Sequence, residues 1–179
     1  MRFLESADRY GKPVRPDKDW AVVTAIGPTG NIYLLRQLNK EETDQLAQKL
    51  VDQAKIPMVA QADGPGRIQV WTPHGKFILP QQAKEVFPAH HPFLDEVTQD
   101  LIAICHHRFC GHFTILGLQH TGHSITFPME RGAHAGPSVE ETSAFALLPV
   151  GILSGHAKPF IRPMDLRCAA LKFRHNFIK

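Results

Sequence analysis

The chain has 179 residues, of which 43% are hydrophobic and 21% are charged, so we expect one globular domain with a substantial core rather than two full domains. The formal net charge is only +3, and the absence of any basic run argues against a protein that binds nucleic acid. No apolar run approaches the ~20 residues that a membrane span needs. No signal-peptide pattern follows Met1, and the three cysteines cannot all pair with one another, so we expect a cytoplasmic protein.

A β-hairpin is predicted near the start of the chain. Residues 1–19 are polar and contain two prolines, so we expect an irregular lead-in to a single α/β domain at residues 20–179. Residues 20–26 are rich in β-branched side chains, and residues 31–35 form a second apolar run. The Gly-Pro-Thr-Gly turn at residues 27–30 separates the two runs, which predicts the hairpin.

A helix and a second hairpin are predicted next. Asn39 suits a helix N-cap, with Glu42 at the reciprocal position of a capping box. An apolar stripe follows at helical spacing and consists of Leu46, Ala47, Leu50, Val51 and Ala54. Residues 56–60 predict a short strand, and residues 67–71 and 76–79, separated by a Pro-His-Gly turn, predict the second hairpin.

The middle of the chain predicts a connection, a helix and a strand. Residues 80–92 contain three prolines and predict a connecting loop. The next helix has a buried face that is predicted from the spacing of Leu94, Val97, Leu101, Ile104 and Cys105. Residues 113–118 are mostly apolar and predict a central strand.

The last third of the chain begins with a long polar segment. Residues 119–143 carry several histidines, and a loop of this length inside a domain is usually functional. Residues 144–148 are apolar and predict a buried strand. Pro163 suits the first position of a final helix, whose buried stripe is predicted to be Leu166, Ala169, Ala170 and Phe173. Strands and helices interleave, which predicts an α/β fold with a mixed sheet flanked by helices and with β-hairpins in the first half.

Histidine is the unusual residue of the composition, with eleven copies. Enrichment of this kind favours metal or proton chemistry, although most individual histidines are structural or lie on the surface. Seven of them fall within 34 residues, at positions His90, His91, His106, His107, His112, His120 and His123. The loops that carry them are the first places to look for a site.

Two cysteines and three histidines at residues 105–112 have the composition of a zinc site. Four residues separate Cys105 from Cys110, and no second Cys or His pair follows at zinc-finger spacing. Cys105 also lies on the predicted helix stripe, where a free thiol packs as a small hydrophobic side chain. We therefore interpret these cysteines as structural. A cysteine nucleophile would need an electropositive environment that only a structure reveals.

Two further histidines, His120 and His123, follow the predicted central strand. Ligands in α/β proteins bind in loops at the carboxyl ends of strands, so both imidazoles are candidate metal ligands. The alternative interpretation is a solvated loop whose histidines contact backbone carbonyls, because two histidines are too few to define a metal site.

His134 is the strongest single candidate ligand. It lies within Gly-Ala-His-Ala-Gly, where small neighbours allow a ligand to approach closely. Glu140 and Glu141 would orient its imidazole as hydrogen-bond acceptors, or they would cap the segment that leads into the next strand. Ser124 and Ser138 lie near histidines, but neither stands in the Gly-x-Ser-x-Gly turn of a nucleophilic serine.

The chain resembles the alkaline phosphatase superfamily, and within it the C-terminal portion of the type I phosphodiesterase/nucleotide pyrophosphatase-like proteins. The segments that carry the resemblance are residues 20–33, 54–60, 67–79, 132–149 and 162–171. The first three look like strands of the later half of one subgroup. The fourth is similar to its histidine-glycine motif followed by a strand, and the fifth looks like the last helix of the superfamily.

The resemblance implies a metal centre that includes His134. Members of the family hold two zinc-type ions with aspartates and histidines, and a Thr or Ser nucleophile attacks phosphorus. The histidine of the Gly-x-His-x-Gly motif is one of the ligands, and it corresponds to His134. Where the family has Asp-His-Gly, this chain has Gln-His-Thr-Gly-His, so no aspartate precedes His120 or His123. The family's nucleophile and first metal-binding aspartate belong to an N-terminal half that has no counterpart in this sequence.

Three hypotheses about function follow. The first is a derived or partial member of the superfamily without independent catalysis, serving as a binding or structural module. The second is a metal-dependent hydrolase of a phosphoric ester that binds zinc or manganese through His134, His120 and His123, with its site completed in a homodimer or by a separate subunit. The third is a non-catalytic protein that binds a metal or a small ligand.

Overall fold

The computed structural model describes residues 20–118, 124–128, 134–153 and 155–177. Within these ranges the strands are β1 (Ala21–Ile26), β2 (Thr29–Leu34), β3 (Met58–Ala62), β4 (Ile68–Thr72), β5 (Gly75–Leu79) and β6 (Phe113–Leu116). The helices are α1 (Lys40–Asp52), α2 (Ala83–Val86), α3 (Leu94–Cys105), α4 (Val139–Thr142) and α5 (Pro163–Phe177). The predicted α/β class and the hairpins of the first half are confirmed.

One sheet contains every strand of the described ranges, in the order β1-β2-β6-β3-β4-β5. Each described pairing is antiparallel, and β6 joins the β1–β2 hairpin to the other three strands. The chain divides into two units: Met1–Ser143, which carries the sheet and α1 to α4, and Ala144–Lys179, which carries α5. None of the described helices has the length and apolar character that crossing a membrane requires.

The sheet separates two hydrophobic cores, because successive side chains of a strand point to opposite faces. Val59 and Phe113 belong to the core beneath α1, whereas Met58 and Leu116 belong to the core shared with α2 and α3. All four residues of β6 are buried. Because β6 is hydrogen-bonded on both sides and covered on both faces, its two ends are well-fixed points of the fold.

Asn39 begins α1 with the predicted capping box. Its side chain accepts a hydrogen bond from the Glu42 N–H at 2.9 Å, and the Glu42 carboxylate accepts one from the Asn39 N–H at 3.0 Å. Asn39→Ala is therefore expected to lower the free energy of unfolding by about 1 kcal/mol, whereas Asn39→Asp keeps an acceptor and costs little. Urea denaturation followed by circular dichroism measures both changes, and equal losses would contradict the capping role.

The predicted strand at residues 144–148 is wrong. The segment has no regular secondary structure, and Phe145 and Leu147 are 90% and 91% exposed. A strand needs a neighbour whose backbone hydrogen-bonds to it, and none of the described strands pairs with this segment. A short apolar run indicates the composition of a buried strand, but it does not show that such a neighbour exists.

Three predictions about helices in the first unit also differ from the structure. Residues 80–92, predicted as a loop, contain α2, which adds two buried side chains to the core. Helix α1 ends at Asp52, so Ala54 lies beyond it and is exposed. Ile104 is 47% exposed, because its neighbour Cys105 takes the buried side of the last turn and adjacent helical residues point about 100° apart.

Helix α5 begins at Pro163 as predicted, but its predicted apolar stripe is mostly exposed. Ala169 is buried, whereas Ala170 is exposed. Leu166 and Phe173 are 36% and 41% exposed. The second unit is too short to build a core that covers a whole helix face. The spacing therefore predicted the helix correctly and its burial wrongly.

Candidate functional site

The carboxyl end of β6 is held at a close crossing of three segments. The Gly117 N–H donates to the Pro28 carbonyl at 2.7 Å, and the Gly117 carbonyl accepts from the Ile125 N–H at 2.8 Å. An antiparallel bridge then pairs Leu118 with Ser124. Leu118 and Ser124 are thus held side by side.

The segment that leads into α4 is anchored by two buried polar side chains. The buried His91 accepts from the Phe93 N–H through Nδ1 at 3.1 Å, so its Nε2 carries the proton and donates to the Pro137 carbonyl at 3.0 Å. The buried Ser138 caps α4, its Oγ accepting from the Glu141 N–H at 3.2 Å. The bond from His91 fixes the start of α4 to the segment before α3, and the Ser138 cap defines where α4 begins.

A hydrogen bond joins the segment that begins at Ser124 to helix α4. Ser124 Oγ donates to Glu141 Oε2 at 2.7 Å. Gly136 lies against the same carboxylate, and a Cβ at that position would stand 2.7 Å from Oε2, so glycine leaves the bond undisturbed. We call the group of Leu118, Ser124, Gly136 and Glu141 the histidine edge, because His123 directly precedes Ser124 in the sequence and His134 precedes Gly136 by two residues.

The predicted metal ligands are placed only in part. His134 is exposed, whereas His120 and His123 lie outside the described residues. Glu141, which was predicted to orient His134 or to act as a cap, accepts a hydrogen bond within the histidine edge. Glu140 is exposed in the first turn of α4. That His120, His123 and His134 bind one metal ion together therefore stays a prediction.

The described residues do not by themselves supply a metal site. A zinc site needs about three protein ligands, and no three His, Cys, Asp or Glu side chains of the described ranges are grouped to hold an ion. His134 would need His120 and His123, or ligands from another polypeptide, beside it. We therefore derive no catalytic step through a metal.

A second cluster of polar and sulfur-bearing side chains lies at the amino end of β6. Cys110 Sγ is 3.1 Å from Thr114 Oγ1 and 3.4 Å from Asn31 Oδ1. Cys105 donates to the same Thr114 hydroxyl at 3.7 Å. Asn31 Oδ1 also accepts from the Gly111 N–H at 3.1 Å, which fixes the orientation of the amide. We call Cys105, Cys110, Thr114 and Asn31 the thiol cluster.

The two thiols of this cluster differ in acidity. A hydrogen bond from Cys105 lowers the pKa of Cys110 to about 6, and the Thr114 hydroxyl and the charge of His107 act in the same direction. That hydrogen bond to Cys110, together with burial, raises the pKa of Cys105. Cys110 therefore holds the negative charge of the pair and Cys105 holds the proton.

Histidines anchor the loop between α3 and β6 to the backbone. The two ring nitrogens of His106 face the carbonyls of Ile102 and Gly64 at 2.8 Å and 2.9 Å, and these carbonyls raise the pKa of the ring. His112 Nδ1 accepts from the Leu34 N–H at 3.0 Å. His107 Nδ1 accepts from the Phe109 N–H at 3.3 Å, so all three histidines in residues 105–112 bind backbone groups.

An open groove leads to the thiol cluster. Its volume is about 530 Å³, and Cys110 is half-buried in its wall. Gly111 allows the loop to lie close against β2, since a Cβ there would stand 2.7 Å from the Ile32 carbonyl oxygen. The groove is lined by Asn31, Asp100, Ile104, His107, Phe109 and Cys110.

The sequence interpretation found only one part of the thiol cluster. Cys105 is buried on the α3 stripe, as predicted. Asn31 and Thr114 are distant in the chain, and they meet because β2 pairs with β6 in a register that sets them opposite each other. The short spacing between Cys105 and Cys110 was the one local signal of a pair.

The chain was compared with protein-family models, with curated proteins and with solved structures, and none of them matches it.

Proposed function

We propose that the chain is a derived domain of the alkaline phosphatase superfamily type that has no independent catalysis and contributes metal ligands to a phosphoric-ester site. His134 is the ligand that the resemblance implies, and His120 and His123 are the candidates that complete the set around zinc or manganese. A separate subunit would supply the nucleophile that the family carries in its N-terminal half, and a second copy of the chain would supply only further histidine ligands.

The observation that carries the proposal is the 2.7 Å hydrogen bond between Ser124 and Glu141. Ser124 directly follows His123, and Glu141 lies in α4, shortly after His134. Ser124 is also bridged to Leu118, and His120 and His123 stand between these two residues in the sequence. The three histidines therefore belong to two segments that are tied together, and ligands from neighbouring segments are what a shared metal needs.

The exposure of His134 supports a contribution to a larger site rather than a self-contained one. A catalytic metal acts in a shaped cavity that excludes water and fixes the coordination geometry. The exposed imidazole of His134 would acquire such a cavity when another polypeptide covers it. We therefore propose that the chain supplies metal ligands, and that catalysis requires a complex with another polypeptide.

Protein purified without a histidine tag is expected to bind zinc or manganese, and His134→Ala is expected to weaken that binding at least ~10-fold, because one of about three coordinate bonds is lost. The matched control is His74→Ala, which removes another exposed histidine, in the β4–β5 turn. Elemental analysis gives the stoichiometry, and isothermal titration calorimetry gives the Kd of each variant.

A neighbouring pair of variants tests the connection between the loops. Glu141→Ala removes the acceptor of Ser124 and should weaken metal binding, whereas Glu140→Ala changes an exposed carboxylate and should not. Absence of zinc and manganese binding by the unmodified chain would end the proposal. Turnover of bis(p-nitrophenyl) phosphate by the chain alone would overturn the claim that it lacks independent catalysis.

A further inference from the structure

We infer that the thiol cluster is a redox site for hydrogen peroxide, in which Cys110 is the reacting thiol and Cys105 is the resolving thiol. The proposed metal chemistry uses neither cysteine. The cluster lies at the amino end of β6, and the histidine edge lies beyond its carboxyl end. The groove beside Cys110 gives a small oxidant a path to the sulfur.

Cys110 has the surroundings of a nucleophile. The Thr114 hydroxyl lies 3.1 Å from its sulfur and can donate to a thiolate there, whereas the Asn31 amide oxygen at 3.4 Å accepts from the protonated thiol. The pKa of Cys110 is about 6, so the thiolate predominates at neutral pH, and the thiolate is the form that attacks peroxides. The Cys110 sulfur is half-buried in the wall of an open groove, so neighbouring residues hold it in place while a small oxidant can still contact it.

Cys105 is suited to the second step. It is buried, so an oxidant in solution does not reach it directly. The neighbouring Cys110 and burial raise the pKa of Cys105, which keeps it protonated until Cys110 has reacted. Both sulfurs also lie against the same Thr114 hydroxyl, at 3.7 Å and 3.1 Å. The resolving thiol is therefore beside the sulfur that it must attack.

The reaction proceeds in two balanced steps. The Cys110 thiolate attacks one oxygen of hydrogen peroxide, the O–O bond breaks, two electrons leave the sulfur, and hydroxide departs to leave a sulfenic acid. The Cys105 sulfur then attacks the Cys110 sulfur, the S–O bond breaks, and the hydroxyl group leaves as water with the Cys105 proton. The product is a Cys105–Cys110 disulfide, which a thiol reductant reopens by exchange.

A bound metal is the competing explanation for two neighbouring cysteines. His106 and His112 are engaged with backbone groups, and among the described residues no third ligand joins the two sulfurs. A structural zinc site takes four ligands. The arrangement therefore favours disulfide chemistry between the two thiols.

The groups around Cys110 set the pH response of its thiol. The hydrogen bond from Cys105 lowers the pKa of Cys110 most, burial opposes it, and His107 adds a smaller lowering effect. The Asp100 carboxylate of α3 lines the same groove. Arg108 lies over the Phe109 ring, 4.4 Å from its centroid. The rate of alkylation of Cys110 should rise through a midpoint near pH 6 and then level off, well below the midpoint of about 8.5 for an ordinary thiol.

The experiment uses the full chain with Cys168→Ser, so that the thiol cluster carries the remaining sulfhydryl groups. Hydrogen peroxide is expected to consume both thiols, with a loss of two hydrogens in the intact mass, and dithiothreitol should restore them. In this background Cys105→Ser should leave Cys110 as a sulfenic acid that dimedone traps. Cys110→Ser should leave Cys105 unmodified by the same dose.

Two results would overturn the inference. One is a disulfide that forms only between molecules, and the other is a Cys110 thiol that peroxide oxidises no faster than Cys168 in the unmodified chain. That second comparison is made by differential alkylation and peptide mass spectrometry, and it needs no variant. The inference can therefore be tested even if a variant misfolds. After peroxide treatment, the unmodified chain should itself yield a peptide cross-linked through Cys105 and Cys110.

Discussion

Gly117→Ala is expected to lower the free energy of unfolding by about 3 kcal/mol and to separate the histidine edge from β6. A Cβ at this position would overlap the Ile125 carbonyl, which is backbone and cannot rotate away as a side chain can. The two segments would have to move apart and break their 2.8 Å hydrogen bond. The Leu118–Ser124 bridge, which follows directly, would open with it.

Chemical denaturation measured by circular dichroism gives the size of this loss, and metal titration of the same variant reports on the histidine edge. The control is Gly66→Ala, because Gly66 has a φ of +66° and no atom within 4 Å of a built Cβ. Its expected cost, about 1 kcal/mol, is backbone strain alone. If both variants lost the same stability, the clash with Ile125 would not be the cause.

The parts of the fold that the sequence predicted correctly depend on residues that are close in the chain. The two hairpins follow from turn residues between apolar runs, the start of α1 follows from the Asn39–Glu42 pair, and the start of α5 follows from Pro163. In each case the interacting groups lie within a few positions of one another. No tertiary information was needed to predict them.

The wrong and missing predictions concern partners that are distant in the chain. Residues 144–148 have the composition of a strand, but a strand forms only beside another one. The thiol cluster needs Asn31 opposite Thr114, and that neighbour relation follows from the register of β2 and β6. Hydrophobic periodicity does not indicate which strands pair with each other. The sequence therefore could not predict that residues 144–148 lack a partner strand, or that Asn31 lies opposite Thr114.

The central position of β6 connects the two proposed sites. The thiol cluster lies at its amino end, and the histidine edge lies beyond its carboxyl end. The strand is hydrogen-bonded to β2 on one side and to β3 on the other. A substitution that loosens β6 therefore tests the scaffold of both sites, whereas substitutions at either end test one site alone.

Phe113→Ala is expected to lower the free energy of unfolding by about 4 kcal/mol, the largest loss that we predict. The Phe113 ring is fully buried and packs edge-on against Trp71, with centroids 6.1 Å apart and ring planes at 82°. Its removal loses the transfer free energy of the ring and leaves a cavity between the sheet and α1. The strand cannot collapse into that space, because β2 and β3 hold its backbone.

Phe145→Ala is the matched control for this substitution, since the same ring is 90% exposed there and its loss should change stability by no more than about 0.5 kcal/mol. Losses of similar size would contradict the burial argument. Phe113 faces α1, whereas Thr114 faces the opposite side of the sheet. Phe113→Ala should therefore destabilise the chain while leaving the alkylation midpoint of Cys110 near pH 6. A midpoint that moved toward an ordinary thiol would mean that the packing of β6, rather than the hydrogen bonds of the thiol cluster, sets the charge on Cys110.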